Sequence, residues 1–233
     1  MKFEKTEVWG FEHAFRGMRN PMNSWIKSDS TYVDNEYLIG KEDMKLAQKL
    51  ILAGSEHRKF LRQIFVSVDI TAPLYWWKEF DTYKVGTTAN STSTMHKLAT
   101  KPITINCFEI YDYDRDAANM GEGTTSNEPS FYETLVIPHL EKLRQKYLET
   151  KDKRYWKELI RWLPESWLQT RTVTLNYENL LAICKQRRSH KLNEWSGLDN
   201  KELPNFISWA KSLPYAQELI FIDETEATKK TKE

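Results

Sequence analysis

The sequence contains very little cysteine. Only Cys107 and Cys184 occur in 233 residues, and their separation matches no metal-ligand spacing, which excludes a cysteine-based metal site. Scarce cysteine is typical of proteins in a reducing compartment, so we expect a cytoplasmic location. Cys184 lies on the apolar face of a predicted helix, which favours a buried structural residue over a nucleophile.

Charge of one sign and long apolar runs are also missing. The net charge is +1, whereas a nucleic-acid-binding domain usually carries a clear basic excess. No run approaches the roughly 20 apolar residues that a membrane span needs. The first residues lack the apolar stretch of a signal peptide. We therefore expect a soluble globular protein that binds neither nucleic acid nor membranes.

Several common site motifs are absent as well. The sequence has no G-x-G-x-x-G and no G-x-x-x-x-G-K-[ST], which argues against a Rossmann dinucleotide site and a P-loop. The five histidines show no H-E-x-x-H spacing, so no zinc site is predicted. Asp112, Asp114 and Asp116 begin like a calcium loop. However, Ala117 and Gly123 stand where that loop needs Gly and Glu, which favours a solvated loop.

What is present suffices for a folded core. Hydrophobic residues make up 40% of the chain and aromatic residues 13%, including nine tryptophans. We expect one α+β domain over residues 1–222, followed by a charged, disordered tail at 223–233. The polar stretch 112–130 predicts a long loop, which is either a functional lid or disordered.

Periodicity predicts the main elements. A strand is expected at 64–70, where β-branched residues dominate, and Pro73 ends it. Apolar residues at helical spacing predict helices, with Asn176 as the N-cap of the last one. These predicted helices cover 42–53, 131–149, 153–162 and 176–188.

The most distinctive segment runs from Ala72 to His96. It begins as an apolar, aromatic run containing Trp76 and Trp77, then changes into ten positions dominated by Thr, Ser, Asn and Gly. Small hydroxyl and amide groups can bring several hydrogen bonds to one ligand, although a surface turn has the same composition. The flanking tryptophans favour ligand binding.

A cluster of basic residues lies at the end of the last predicted helix. Lys185, Arg187, Arg188 and His190 stand near the helix C-terminus, where cations are stabilised by the helix dipole. Alternatively, an arginine there can bind a phosphate or an ionised base through its rigid bidentate fork. The local sequence leaves both interpretations open.

Two blocks of the sequence resemble the flavin-dependent thymidylate synthases. The first block resembles the family's A-P-I-F-V-A-R-Q-W-x-R-H-R and S-x-N-x-x-S-x-R-Y motifs, with one inserted residue; it comprises 72–75, 78–79, 82–84, 88–90 and 93–96. The second resembles R-x-x-L-P, N-x-R, L-R and H-A-Q-W-E; it comprises 161–164, 170–171, 176, 187, 190 and 192–195. The resemblance spans about residues 42–195.

This resemblance implies a fold, a reaction and an assembly. The fold is α+β, with a central antiparallel sheet packed with helices, and the family is usually homotetrameric. The reaction is the reductive methylation of dUMP to dTMP. Methylenetetrahydrofolate supplies the carbon, and FAD, reduced by NADPH, supplies the hydride.

The resemblance also implies site residues. Arg187 is implied as catalytic, because a permanently protonated guanidinium beside the pyrimidine N3 and O4 stabilises the anionic base. The implied nucleotide-binding residues are Lys78, Glu79, Thr88, Ser93, Arg161 and Arg187. The implied flavin-binding residues are Tyr83, Lys84, Asn90 and Asn176.

The sequence departs from the family at several arginines. R-H-R is replaced by residues 82–84, Thr-Tyr-Lys, and the arginine after the signature serine is Met95. Glu178 also stands where the family has an arginine. Three functions therefore stay open: a divergent synthase or a relative acting on another pyrimidine nucleotide, a non-catalytic nucleotide-binding or assembly protein with the same fold, and a purely structural protein.

Overall fold

The computed structural model describes residues 1–112 and 130–223, and these residues contain a four-stranded sheet. Its strand order is β1-β4-β6-β5. A separate antiparallel hairpin pairs β2 with β3, and Val33 lies opposite Glu36 next to its turn. The strands are β1 Lys2–Trp9, β2 Thr31–Val33, β3 Glu36–Leu38, β4 Phe65–Pro73, β5 Thr88–Ser91 and β6 Leu168–Asn176.

Helices occupy much of the rest of the described chain. They are α1 Phe11–Met18, α2 Lys41–Leu52, α3 Leu74–Phe80, α4 Ile137–Thr150, α5 Lys153–Arg161, α6 Tyr177–Arg187, α7 Asn193–Ser196, α8 Phe206–Lys211 and α9 Ala216–Leu219. Within the described ranges, no helix is both long and apolar enough to cross a membrane.

Strands β4 and β6 run antiparallel, as their side-chain pairs show. The Thr172 hydroxyl donates to Asp69 Oδ1 at 2.5 Å. The hydroxyls of Thr71 and Thr170 lie 2.7 Å apart. Since the partner numbers rise on one strand as they fall on the other, the strands point in opposite directions.

The described chain divides into two compact units. The first comprises Met1–Ile70, Asp81–Asn90 and the described residues of Thr172–Glu233. The second comprises Thr71–Phe80 and the described residues of Ser91–Arg171. Each has its own apolar core, as expected from the high aromatic content.

The core of the first unit is built from large buried side chains, among them Phe15, Leu61, Ile64, Trp195 and Phe206. It also contains a buried ion pair, in which Arg19 Nε donates to Asp43 Oδ1 at 2.5 Å. Burial raises the pKa of Asp43, but hydrogen bonds from Ser28, Ser30 and Arg19 outweigh it and hold that pKa below its ordinary value.

The core of the second unit lies between α4, α5 and the neighbouring turns. Its centre is a cluster of six buried apolar residues: Leu98, Ala99, Ile103, Phe108, Leu140 and Leu159. On α3, the rings of Trp76 and Phe80 stack with centroids 5.1 Å apart. Arg144 is buried against this core, and its Nη1 donates to the Ala99 carbonyl at 3.2 Å.

The predicted helices are confirmed, with bounds that differ by a few residues. The exception is the first turn of the helix predicted at 131–149, because Tyr132–Val136 forms a π-helix. Pro138 has no N–H to donate to the carbonyl four residues earlier, so the α-helical pattern cannot pass through it unchanged. The predicted strand at 64–70 is confirmed as part of β4, and Cys184 is buried as predicted.

One prediction was wrong in part. The hydroxyl-rich segment after Gly86 was predicted as a loop, but Thr88–Ser91 forms β5. The Thr92 N–H donates to the Thr170 carbonyl at 2.9 Å, so pairing along β6 extends just past the strand. Residues 113–129 of the predicted long loop and 224–233 of the predicted tail lie outside the described residues.

Candidate functional site

The first unit holds a cation between aromatic rings at the end of α6. Arg187 Nε donates to the Tyr83 hydroxyl at 2.8 Å. The guanidinium carbon lies 5.5 Å from the centre of the Tyr83 ring and 5.0 Å from that of Trp195. Both distances are within the range of cation–π attraction, so Arg187 is held on two sides.

The packing around Trp195 fixes this arrangement. Trp195 has no exposed surface, and its ring meets Phe206 edge-on with centroids 5.2 Å apart. The His190 ring lies 6.4 Å from Trp195, and its Nδ1 accepts a hydrogen bond from the Leu192 N–H at 3.1 Å. Because its aromatic neighbour cannot move freely, Arg187 is pre-organised before any ligand binds.

The structure separates the members of the basic cluster. Lys185 pairs with Asp223 at 3.5 Å, and both side chains are largely exposed. Arg188 is the C-cap of α6 and is exposed. Arg187 is half-buried against the aromatic rings. Among these three cations, Arg187 is the one that packs between the rings of Tyr83 and Trp195.

The segment 84–87 closes over the start of α6. Asn176 is the N-cap and accepts from the Asn179 N–H at 3.0 Å, as the sequence predicted. The Asn179 amide donates to the Val85 carbonyl at 2.8 Å. Gly86 has a φ of +73°, and a Cβ there would lie 3.0 Å from Asn179 Oδ1. A side chain larger than glycine's would push this segment away.

The other residues predicted to bind flavin, Lys84 and Asn90, lie in this segment and just after it. Lys84 and Asn90 are exposed, as is Thr88, which was predicted to bind the nucleotide. The Thr87 hydroxyl is buried and has no hydrogen-bond partner within the described ranges. A cation, an aromatic ring at Tyr83 and an unsatisfied hydroxyl fit a ligand with a flat ring and phosphates, such as FAD.

One residue predicted to bind flavin, and one position that departs from the family, already have partners in the first unit. The Asn176 oxygen caps α6, as described above. Glu178, which stands where the resembled family has an arginine, forms an ion pair with Arg58 at 3.0 Å, and both side chains are mostly shielded from solvent. This position therefore holds an anion that is neutralised within the unit.

The second unit carries the remaining predicted nucleotide-binding residues. Lys78 Nζ lies 2.5 Å from Glu165 Oε1, and both side chains are exposed. Arg161 is exposed and pairs with Glu158 on the preceding turn of α5. Glu79 is half-buried on α3.

Ser93 accepts a hydrogen bond from the His96 N–H at 3.0 Å, which stabilises the turn after β5.

Arg171, which was not assigned to the site from the sequence, is held in place by contacts within the second unit. The Arg171 guanidinium lies 4.2 Å from the centre of the Trp77 ring, and its Nε donates to Gln169 at 3.0 Å. The sequence pointed to Arg171 only through its place in the second block that resembles the flavin-dependent thymidylate synthases.

The described residues contain no group of three or more His, Cys, Asp or Glu side chains that could hold a metal ion.

Comparison with known proteins identifies the fold. No protein-family model matches the sequence, and no curated protein matches it. Among solved structures, the chain is similar to flavin-dependent thymidylate synthase ThyX from Helicobacter pylori complexed with FAD and dUMP. Identity is 18%, coverage is 96% of this chain and 99% of that chain, and the TM-score is 0.64. A second structure of that enzyme with FAD and dUMP gives 18% identity, coverage of 96% and 98%, and a TM-score of 0.63.

A third similar structure is a UMP/dUMP methylase, PolB, from Streptomyces cacaoi, bound with 5-Br dUMP. The two sequences are 14% identical, the match covers 95% of this chain and 94% of that chain, and the TM-score is 0.55. The chain therefore has the fold of the flavin-dependent thymidylate synthases, and the predicted α+β fold is confirmed. At this level of identity, the similarity establishes the fold alone.

Proposed function

We propose that the protein binds dUMP and methylates it reductively to dTMP, with methylenetetrahydrofolate as carbon source and NADPH as reductant through FAD. The observation that carries the proposal is the site of Arg187. The guanidinium of Arg187 is pre-organised by its contacts with Tyr83 and Trp195. The chain also shares its fold with proteins whose structures contain FAD and dUMP.

Arg187 would act on the base. A guanidinium keeps its proton at any relevant pH, so it donates hydrogen bonds to the pyrimidine edge and stabilises negative charge as N3 ionises. The hydrogen bond from Nε to Tyr83 fixes the orientation of the planar guanidinium. Tyr83 would thus position the arginine.

When bound, FAD would supply the hydride that reduces the transferred carbon. The residues proposed to hold it are Tyr83, by ring stacking, and Lys84, by its charge, together with Asn90 and Asn176. The buried Thr87 hydroxyl supports a polar ligand beside this segment.

Further residues proposed to contact the nucleotide include Arg161 and Lys78 of the second unit. Arg161 and Lys78 are exposed, and each already pairs with a glutamate. Exposed pairs of this kind contribute about 0–1 kcal/mol, so a phosphate dianion can compete for the cation. Thr88, Ser93 and Glu79 complete the proposed set. The homotetramer and the cytoplasmic location also stay proposals.

A second candidate is a nucleotide-binding protein that lacks catalysis. The ion pair between Glu178 and Arg58 favours it, because a neutralised glutamate cannot replace an arginine as a phosphate contact. Met95 likewise removes a family cation. The similar UMP/dUMP methylase makes UMP a further acceptor to test.

The test is a pair of titrations on the purified chain. FAD binding is followed by quenching of flavin fluorescence, and dUMP binding by calorimetry, with Arg187→Lys as the matched charged variant. We expect both ligands to bind and the variant to bind dUMP more weakly. Binding of dUMP without FAD would favour the second candidate. Binding of neither would refute both.

A further inference from the structure

A cavity lined by aromatic rings lies in the first unit, away from the segment 84–87 in sequence. This aromatic cavity has a volume of about 700 Å³. Its rings come from the end of β1, the start of α1, the hairpin of β2 and β3, and the segment before α9; they are Trp9, Phe11, Tyr32, Tyr37 and Tyr215. Cavities of a few hundred Å³ are typical of small-molecule sites.

The rings pack edge to face in two pairs, and those of Trp9 and Tyr32 are exposed. Tyr32 and Tyr37 meet at a centroid distance of 5.4 Å with planes inclined by 62°. Phe11 and Tyr215 also lie 5.4 Å apart, inclined by 73°. Trp9 is 44% exposed and stacks on Phe65. Large apolar rings so accessible to solvent favour a binding surface over plain core packing.

The carboxylates of Glu12 and Glu36 line the aromatic cavity together with the His13 ring, and no lysine or arginine lines it among the described residues. Arg16 lies 3.8 Å from Glu12 Oε1 and is not part of the lining. Glu36 has no hydrogen-bond or ion-pair partner for its side chain within the part of the chain that the structure describes.

The carboxylate of Glu12 also changes the electron density of the Tyr32 ring. The Tyr32 hydroxyl donates to Glu12 Oε2 at 2.8 Å, and this hydrogen bond raises the pKa of Tyr32. A phenol that donates to a carboxylate gains electron density in its ring, which strengthens attraction to a cation at the ring face. Aromatic faces combined with carboxylates are the recognised chemistry for alkylated ammonium groups.

We propose that the aromatic cavity binds an alkylated ammonium group, with Trp9, Tyr32 and Tyr37 facing the alkyl carbons and Glu36 neutralising the charge. Methylated nitrogen suits this environment better than a bare ammonium ion, because it is weakly hydrated and loses little on leaving water. Neither nucleotide nor flavin binding requires this site.

The experiment uses saturation-transfer NMR on the full chain, with choline as the probe. The control ligand is 3,3-dimethylbutan-1-ol, which has the same shape as choline and no charge. We expect millimolar binding of choline, and binding of the neutral analogue weaker by at least about fivefold. Absence of a choline signal at about 20 mM, or equal binding of the two ligands, would overturn the proposal.

Paired variants locate the site. Trp9→Ala should weaken choline binding at least about fivefold, whereas Trp162→Ala, which removes another exposed tryptophan that does not line the cavity, should leave it unchanged. Should Trp9→Ala fail to fold, Glu36→Gln on the exposed hairpin replaces it, with an expected loss of about two- to fivefold. Its control is Glu42→Gln. Equal effects of a variant and its control would contradict the assignment.

Discussion

Removing one hydroxyl tests whether Tyr83 positions Arg187. Tyr83→Phe keeps the aromatic ring but deletes the oxygen that accepts from Arg187 Nε at 2.8 Å and donates to Gln186 at 3.0 Å. A hydrogen bond to a charged group contributes about 1.5–3 kcal/mol. Because both side chains are partly exposed, we expect about 1 kcal/mol, or a roughly fivefold weaker affinity for dUMP.

Further variants separate the hydrogen bond from the ring. Tyr83→Ala also removes a cation–π contact at 5.5 Å, so the loss should grow to about 10- to 25-fold. In a double-mutant cycle, Arg187→Lys should remove most of the effect of Tyr83→Phe, because the two residues act through one contact. The assay is calorimetric titration of dUMP at constant ionic strength.

The matched control is Tyr75→Phe in the second unit, which deletes a hydroxyl that donates to Glu109 at 3.1 Å. It should leave dUMP affinity unchanged. The positioning role would be refuted if Tyr83→Phe bound dUMP as tightly as the parent protein, or if the two phenylalanine variants lost affinity equally.

Other predictions concern stability. Gly86→Ala should lower the free energy of unfolding by about 1–2 kcal/mol, and more than Gly54→Ala, since both have positive φ but only the Cβ at 86 meets a neighbour. Asp43→Asn should cost about 3 kcal/mol in urea unfolding, because it leaves Arg19 buried without a counter-charge. The pKa of Asp43 is lower in the folded state than its value of about 3.9 in the unfolded chain, so ionised Asp43 stabilises the fold at pH values above about 3.9. The free energy of unfolding should therefore fall as the pH drops through the folded-state pKa. Asp43→Asn should flatten this pH dependence.

Local pattern predicted α2, α4, α5 and α6 because their apolar residues repeat at helical spacing, but it did not predict the other five helices of the described residues. It missed β1, because most of Lys2–Trp9 is exposed and carries no clean alternation. It also missed β5, where small polar side chains read as a turn. That short strand owes its order to pairing with β6, a partner almost 80 residues away in sequence.

The candidate site, too, could be predicted only in part from the local sequence. The resemblance pointed to Arg187 and Tyr83 separately, with roles in base ionisation and flavin binding. Their contact joins residues 104 positions apart, so only the folded chain reveals it. The aromatic cavity was not predicted at all, because its rings come from separate segments and none forms a motif.

The most direct measurement of the proposed function is product formation. The full chain is incubated with dUMP, FAD, NADPH and methylenetetrahydrofolate, and dTMP is quantified by chromatography, with Arg187→Lys in parallel. We predict dTMP from the parent protein, no dTMP when FAD is omitted from a flavin-free preparation, and at least a hundredfold less from the variant, as for loss of a transition-state contact. Absence of dTMP from a parent protein that binds both FAD and dUMP would contradict the proposal.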